Sequence, residues 1–459
     1  MSRRLRLCAV ALAAGLAPAA VSLSAPVAAA ESIHASGTTA NGEWVLDVPA
    51  SFNGTLLVWS HGYTFTPVPG SNAPSLPARD ALLDQGYALV GSSYARGGAG
   101  WAVREGVRAG IEAVGIAERR IGADRVDRVL AWGNSLGGLI TQTLAERRPD
   151  LVDGVAPLCG VLAGTNRNLD LALDVAVGVK EFFYPKLRLR GYPSETAAQQ
   201  NYDAASAAIL ARLADPATQA GATGRILSLA ALMGTPAKTK SYNGVGTSSA
   251  ARAATESVLT ALNYGTLGRY DIEQRVGGNP STNVGTDYTA RVTPEAVARF
   301  TAFGFGSALL KSFAQNLQTA GVRVKANQDA RRAASRLGNP TGDLSDRTVT
   351  MHTVHDPLVL VQNERVFASR VAKHEDRGRL LQLYIQPPTY TTAAPYGAGH
   401  CNFATEQYVA VVGALDTWVT SGSRPTDAAL TQLFSAHSGA LDLDNALDLD
   451  YTPARWPAR

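Results

Sequence analysis

The chain is sparing with several residue types, and each scarcity removes a class of protein. Three cysteines among 459 residues cannot make a disulfide framework. No C-x-x-C pair and no H-E-x-x-H run occurs, so the usual zinc motifs are absent. Charged residues are only 17% of the total, yet 46% hydrophobic content is far above that of a disordered chain. Glycine and proline follow no G-X-Y period, which excludes a collagen-like fibre. No stretch reaches the roughly 18 uninterrupted apolar residues of a membrane-spanning helix. No repeat of solenoid period is visible.

What is present begins with charge. The net charge of +4 comes from 42 basic and 38 acidic residues, and the pI is near 8.9. Much of the excess sits in Met1-Ser2-Arg3-Arg4-Leu5-Arg6, followed by an almost wholly apolar stretch over 7–21 and by Ala28-Ala29-Ala30. That order matches a secretory signal peptide over residues 1–30: basic start, short apolar region, small-residue cleavage site. Arg6 stands where a twin-arginine leader usually has an apolar residue, so the export route stays open. Cys8 lies at the very start of that stretch, before the body of the apolar core, too early for a lipoprotein cleavage cysteine. Removing the leader takes away three arginines and no acid, and +4 becomes +1. No like-charge run remains, so neither nucleic-acid binding nor a membrane anchor is expected. The expected location is extracellular, where the two remaining cysteines, Cys159 and Cys401, pair by default.

Apolar runs and helical spacing alternate along the first third. Strands are expected at 43–48, 55–60, 87–93, 126–132 and 152–158, with helices at 78–86, 102–121 and 136–147. This alternation is the α/β signature: a mostly parallel sheet with helices on both faces. It stops at about residue 160. Residues 161–345 show Ala-rich helical patterns at 166–183, 195–214, 223–233, 250–262 and 293–319. The rhythm resumes with strands at 348–354 and 379–385 and helices at 363–375 and 403–420. The expected organisation is therefore a leader (1–30), a first core part (31–160), a helical insertion (161–345), a second core part (346–424) and a C-terminal tail (425–459). Ala-Leu-Asp-Leu-Asp recurs at 440–444 and 446–450 and reads as a solvated tail. Two independent domains are the alternative, but each flanking half looks like part of one sheet.

Gly133-Asn134-Ser135-Leu136-Gly137 fits G-x-S-x-G, between an apolar strand and a helix. In that context the glycines permit a tight, strained turn that projects Ser135 as a nucleophile. A strand–helix turn with an incidental serine is the competing reading. Two backbone N–H groups must face the developing oxyanion. Leu136 offers one, and Tyr63 of His61-Gly62-Tyr63, with Gly62 as fallback, offers the other. A serine needs a base. Of seven histidines, His400 lies in the loop after the last core strand, where this chain order places it. Asp356, just after the strand 348–354, stands where the orienting acid belongs, although a turn-forming Asp before Pro357 would look the same. Asp343 and Asp346 precede that strand, at its other end.

The HGY turn, the GNSLGG elbow, the HDPLV acid turn and the GHCNF loop together resemble the α/β-hydrolase fold. The resemblance spans nearly all of the chain between leader and tail except the insertion, which lies where that superfamily carries its lid. It implies Ser135, Asp356 and His400 as a triad, Tyr63 and Leu136 as oxyanion hole, and no cofactor or metal. His400-Cys401 more weakly resembles the secreted tannase and feruloyl esterase group. There a disulfide ties the residue after the base to the residue before the serine. This chain departs, having Asn134 at that place, so the resemblance points to Cys159–Cys401 instead; two buried free thiols are the alternative.

The implied activity is secreted hydrolysis of a small-molecule or polymer-derived carboxylic ester. A serine peptidase or aminopeptidase of the same fold is the alternative, and Glu181, Glu256, Asp271 or Glu273 would then bind the substrate amine. An acyltransferase and a non-catalytic binding protein are further alternatives. Candidate pocket walls are Phe182, Phe183, Tyr184, Tyr264, Phe303, Phe305 and the loop from Tyr94 to Trp101. Gly160, Gly164 and the stretch 338–342 are candidate hinges or ordinary linkers.

Overall fold

The computed structural model describes residues 31–387, 396, 398–436 and 446–459. The leader 1–30, Gly397, His437 and the first Ala-Leu-Asp-Leu-Asp copy lie outside these described residues.

The core strands are β1 (Ile33–Thr39), β2 (Gly42–Val48), β3 (Thr55–Ser60), β4 (Ala88–Ser92), β5 (Arg128–Asn134), β6 (Gly154–Leu158), β7 (Arg347–Thr353), β8 (Leu380–Gln386) and β9 (Ala446–Leu447). They form one sheet in the order β1-β2-β4-β3-β5-β6-β7-β8-β9. From β4 to β8 every neighbour is parallel, whereas β1, β2 and β9 pair antiparallel at the two edges. Every residue of β3, β4 and β6 is buried, because helices cover both faces.

Three helices of the first core part are α1 (Leu76–Asp84), α2 (Val103–Ile121) and α3 (Leu136–Arg147). The side chain of Ser75 caps α1 by accepting the N–H of Ala78 at 3.3 Å. The buried face of α2 carries Val103, Val107, Val114 and Ile121 at helical spacing. These residues share a core with Leu139, Ile140 and Leu144 of α3.

Between β6 and β7 the chain leaves the sheet for α4 (Thr165–Phe182), α5 (Glu195–Ala214), α6 (Gln219–Met233), α7 (Gly246–Asn263), a π turn (Tyr264–Gly268), α8 (Arg269–Val276), α9 (Pro294–Thr301), α10 (Ser307–Thr319) and α11 (Gln328–Leu337). This segment has its own apolar core, centred on Val175, Val179, Ile226, Leu229 and Val258. Buried charge threads it: Arg291 pairs with Asp174 at 2.5 Å, and Tyr288 donates to the same carboxylate at 2.8 Å. Burial works against the ionised Asp174 and raises its pKa, while the Arg291 charge pulls it down. The junctions are laced to the sheet domain. Thr165 N–H bonds Gly338 O at 2.9 Å, Arg370 reaches Pro340 O and Ala163 O, and Glu146 takes the Thr341 N–H.

The second core part adds α12 (Gln362–Val371), α13 (Thr405–Ser421) and α14 (Asp427–Ala436). Several readings of the sequence need correction. Strand β1 was not expected; its inner face has only Ile33 and Ala35 against the core, too few apolar positions for the alternation of an edge strand to show. The expected helix at 293–319 is two helices, broken at Gly304, whose φ is +82°. Helices α8 and α11 were also unexpected, as was α14, which lies in the stretch read as tail. Nor do residues 446–459 form a solvated tail. Ala446 and Leu447, inside the second Ala-Leu-Asp-Leu-Asp copy, pair with β8. Trp456 packs on the helical segment's core, and Arg459 pairs with Asp170 at 2.9 Å. Among the described residues no helix is long and apolar enough to cross a membrane.

Replacing Asp174 by alanine leaves Arg291 buried without its counter-charge. The expected loss of unfolding free energy is about 3–5 kcal/mol, to be read by denaturant unfolding beside the parent.

Candidate active site

The chain has the α/β-hydrolase fold: a mostly parallel sheet in which the chain lays β4 on one side of β3 and β5 on the other. In open α/β sheets a crevice forms at the carboxyl ends of the strands where the winding reverses. Here that edge holds the ends of β3 (Ser60) and β5 (Asn134), and Ser135, Asp356 and His400 meet along it.

Ser135 sits between β5 and α3 with φ 59° and ψ −120°, a conformation seldom adopted outside glycine. Its N–H bonds Leu158 O of β6 at 2.9 Å, which anchors the turn. The flanking glycines have a steric cause. A β-carbon at Gly133 would lie 2.5 Å from Ser60 O, and one at Gly137 only 2.0 Å from it. Asn134 turns away from the site, and its Nδ2 donates to the Tyr408 hydroxyl at 2.6 Å.

His400 Nε2 lies 2.7 Å from Ser135 Oγ, and its Nδ1 lies 2.7 Å from Asp356 Oδ2. Asp356 follows β7 and is 1% exposed. Its other oxygen, Oδ1, accepts the N–H groups of Leu358 and Val359, each at 2.9 Å. With both N–H donors committed there, the carboxylate is aimed and cannot rotate away from His400. A carboxylate only accepts, so Nδ1 carries the hydrogen and Nε2 presents its lone pair to the serine hydroxyl.

Cys159, directly after β6, is disulfide-bonded to Cys401, with the two Cα atoms 5.4 Å apart. The bond ties the His400 loop to the strand beside the elbow. Both cysteines have positive φ, 42° and 48°, so the backbone bends at both ends of the bridge.

The turn 61–63 closes on the serine. A β-carbon at Gly62 would be 3.2 Å from Ser135 Cβ. His61 is buried, stacks on Tyr94 at 4.0 Å between ring centres, and bonds Gly62 O at 2.8 Å. Burial lowers its pKa, so it is a neutral prop for the turn. Leu136 is the first residue of α3, where N–H groups have no intrahelical acceptor.

A cavity of about 710 Å³, counting its open mouth, lies over Ser135. Its walls come from the core (Tyr63, Trp101, Leu136, Leu358) and from the helical segment (Leu169, Val175, Tyr264). Tyr63, Phe65 and Tyr264 meet edge to face or tilted, with ring centres 5.0–5.7 Å apart. Burial, with the Asp356 charge, pushes the Tyr264 phenol up to about 12, so it stays protonated and neutral.

The expected wall residues divide. Tyr264 and Trp101 line this cavity. Phe182 and Phe183 are buried in the helical segment's own core, and Tyr184, Phe303 and Phe305 pack against that core. Tyr94 lies beneath His61. The carboxylates suggested for an amine are engaged elsewhere: Asp271 accepts the Trp101 N–H at 2.6 Å and pairs with Arg275, Glu273 accepts the Gly191 N–H, and Glu256 bonds Thr239. Glu181 does not line the cavity. Leu169, Val175, Leu358 and Val359 were not singled out from the sequence, because nothing local separates them from ordinary core and turn residues.

No protein-family model matches the chain, and no curated protein matches it in sequence. Among solved structures it is similar to feruloyl esterase B from Aspergillus oryzae, at 13% identity, over 86% of this chain and 81% of that one, TM-score 0.41. It is also similar to the rice cell wall degrading esterase LipA from Xanthomonas oryzae, at 12% identity over 82% and 84%, TM-score 0.35. A third is a putative dipeptidyl aminopeptidase IV from Bacteroides ovatus, at 10% identity over 84% and 36%, TM-score 0.38.

Replacing Cys159 and Cys401 together by serine is expected to cost roughly 2–5 kcal/mol of stability. Chemical denaturation of the parent with and without reductant should show the same gap, and the double variant should no longer respond to reductant.

Proposed function

We propose that this chain is a secreted serine hydrolase that cleaves carboxylic esters through an acyl-enzyme. The observation that carries the reading is the position of His400, 2.7 Å from the Ser135 hydroxyl on one side and 2.7 Å from the Asp356 carboxylate on the other. Ser135 Oγ attacks the ester carbonyl carbon while His400 Nε2 takes its proton. Asp356 stays ionised and stabilises the imidazolium. The N–H groups of Leu136 and Tyr63 hold the oxyanion, aided by the positive end of α3. His400 then passes the proton to the departing alcohol, and water repeats the sequence to release the acid.

The helical segment acts in this reading as the lid. Leu169, Val175 and Tyr264 from it roof the serine and present apolar surface to the substrate. Among the described residues the cavity lining includes no carboxylate to receive a substrate amine, which favours an ester with an apolar acyl or alcohol part over an aminopeptidase substrate. The basic, apolar, small-residue leader and the disulfide support export.

Ser135→Ala should lower kcat at least ~10³-fold on a chromogenic ester while leaving the thermal midpoint near that of the parent. A fluorophosphonate probe should label the parent at Ser135 and not the variant; full activity in the variant would overturn the assignment. Acyl esters, feruloyl and galloyl esters and aminoacyl anilides compared side by side should rank the esters first. Preference for the anilides would replace the ester reading with the peptidase one.

A further inference from the structure

Behind Asp356 lies a second buried acid–imidazole pair that the reaction above does not use. His352 on β7 and Glu364 on α12 are each 0% exposed. His352 Nε2 lies 2.8 Å from Val359 O, and its Nδ1 lies 3.1 Å from Glu364 Oε1. A carbonyl only accepts, so Nε2 carries a hydrogen. One further proton is shared between Nδ1 and Oε1. Glu364 Oε2 takes the Thr350 hydroxyl at 2.6 Å and the Gln382 amide at 2.7 Å. With two donors already on Oε2, Glu364 is the acceptor of the pair and the ring Nδ1 its donor. The resulting imidazolium stands 3.8 Å from Asp356 Oδ2. Burial opposes its charge, but the bond to Glu364 and the carboxylates of Glu364 and Asp356 outweigh burial and raise the His352 pKa.

We propose that the Glu364–His352 pair is the positioning unit of Asp356, with a cationic ring facing the carboxylate and an Nε2–H that pins the acid turn to β7. Val359 is the mechanical link: its N–H holds Asp356 Oδ1, and its carbonyl is held by His352. The pair is net neutral by itself, which is what makes two buried ionisable groups tolerable. Beside Asp356 it behaves as a dipole with its positive end toward the acid. Other titratable groups around the ring are few. Tyr384 lies opposite His352 in register on β8, and burial keeps its phenol protonated. His400 stands beyond Asp356. His355 is one residue from Asp356, and burial together with the Lys238 and Arg299 charges lowers its pKa to about 4.

The inference rests on the triad reading, and the test separates the two. The acid limb of kcat/KM, followed from about pH 5 to 9, reports protonation of the base in the free enzyme. In Glu364→Gln and in His352→Gln the positive charge beside Asp356 is gone, and protonated His400 forms more readily. Each limb should move to higher pH by up to about one unit, the size expected of a charge roughly 4 Å from the acid. KM should hold and kcat should fall; Glu364→Asp should restore part of both. A buried pair that served packing alone would lower the thermal midpoint and leave the limb in place, and that result overturns the proposal. If both glutamine variants fail to fold, Thr350→Val removes one donor from Glu364 and should move the limb the same way by less; an unmoved limb there is equally fatal. Ser135→Ala and probe labelling are run alongside: activity surviving in Ser135→Ala defeats the triad reading, whereas a dead Ser135→Ala with unmoved limbs defeats only this one.

Discussion

The carbonyl oxygen of Ser60 stands so close to the turn after β5 that nothing larger than hydrogen fits on Gly137, where a β-carbon would lie 2.0 Å away. The rest of the edge depends on that approach. Because β3 and the start of α3 pack this tightly, the residue between strand and helix is forced to φ 59°. Such a conformation costs of order 1–3 kcal/mol, and the surroundings must hold it. They do so through the Ser135 N–H bond to β6 and the buried face of α3. The strain sets the serine hydroxyl out over the carboxyl edge, beside the turn 61–63 and within reach of His400.

Bringing His400 there is a problem of a different kind, since 265 positions separate it from Ser135. The sheet solves most of it by setting β7 beside β6, so that the acid turn after β7 ends level with the elbow. The Cys159–Cys401 bond then fastens the loop itself, and Asp356 orients the ring. Both halves of this arrangement have buried support: two backbone N–H groups under one oxygen of Asp356, and the His352–Glu364 pair behind the turn. The helical segment has a core largely of its own, shares Leu169, Ile272 and Leu337 with the core under the sheet, and has its junctions tied by Arg370 and Glu146.

Some of this was legible in the residues and some was not, for physical reasons. Fully buried parallel strands read as continuous apolar runs, so β3 to β8 were visible; β1, half exposed at an edge, was not. Elbow, acid turn and base loop were visible because each needs particular residue types next to a strand end. Aromatic residues on Ala-rich helices declare only that they are buried. Phe182 and Phe183 serve the helical segment's core, whereas Tyr264, in a π turn, reaches the cavity. The C-terminal stretch looked like solvated tail since its acidic repeats carry no helical or strand period longer than a few residues, yet β9 and Trp456 are docked.

By itself the sequence determined the α/β order, the interruption after β6 and the identity of the residues around the elbow, because these follow from local sterics and from period. Only the tertiary structure decided which distant groups meet. The roof over Ser135, the engagement of Asp271 and Glu273 away from the cavity, and the burial of His352 against Glu364 depend on contacts between segments far apart in the chain. Local pattern cannot encode such contacts, since the same apolar stripe or the same lone acid is compatible with many partners.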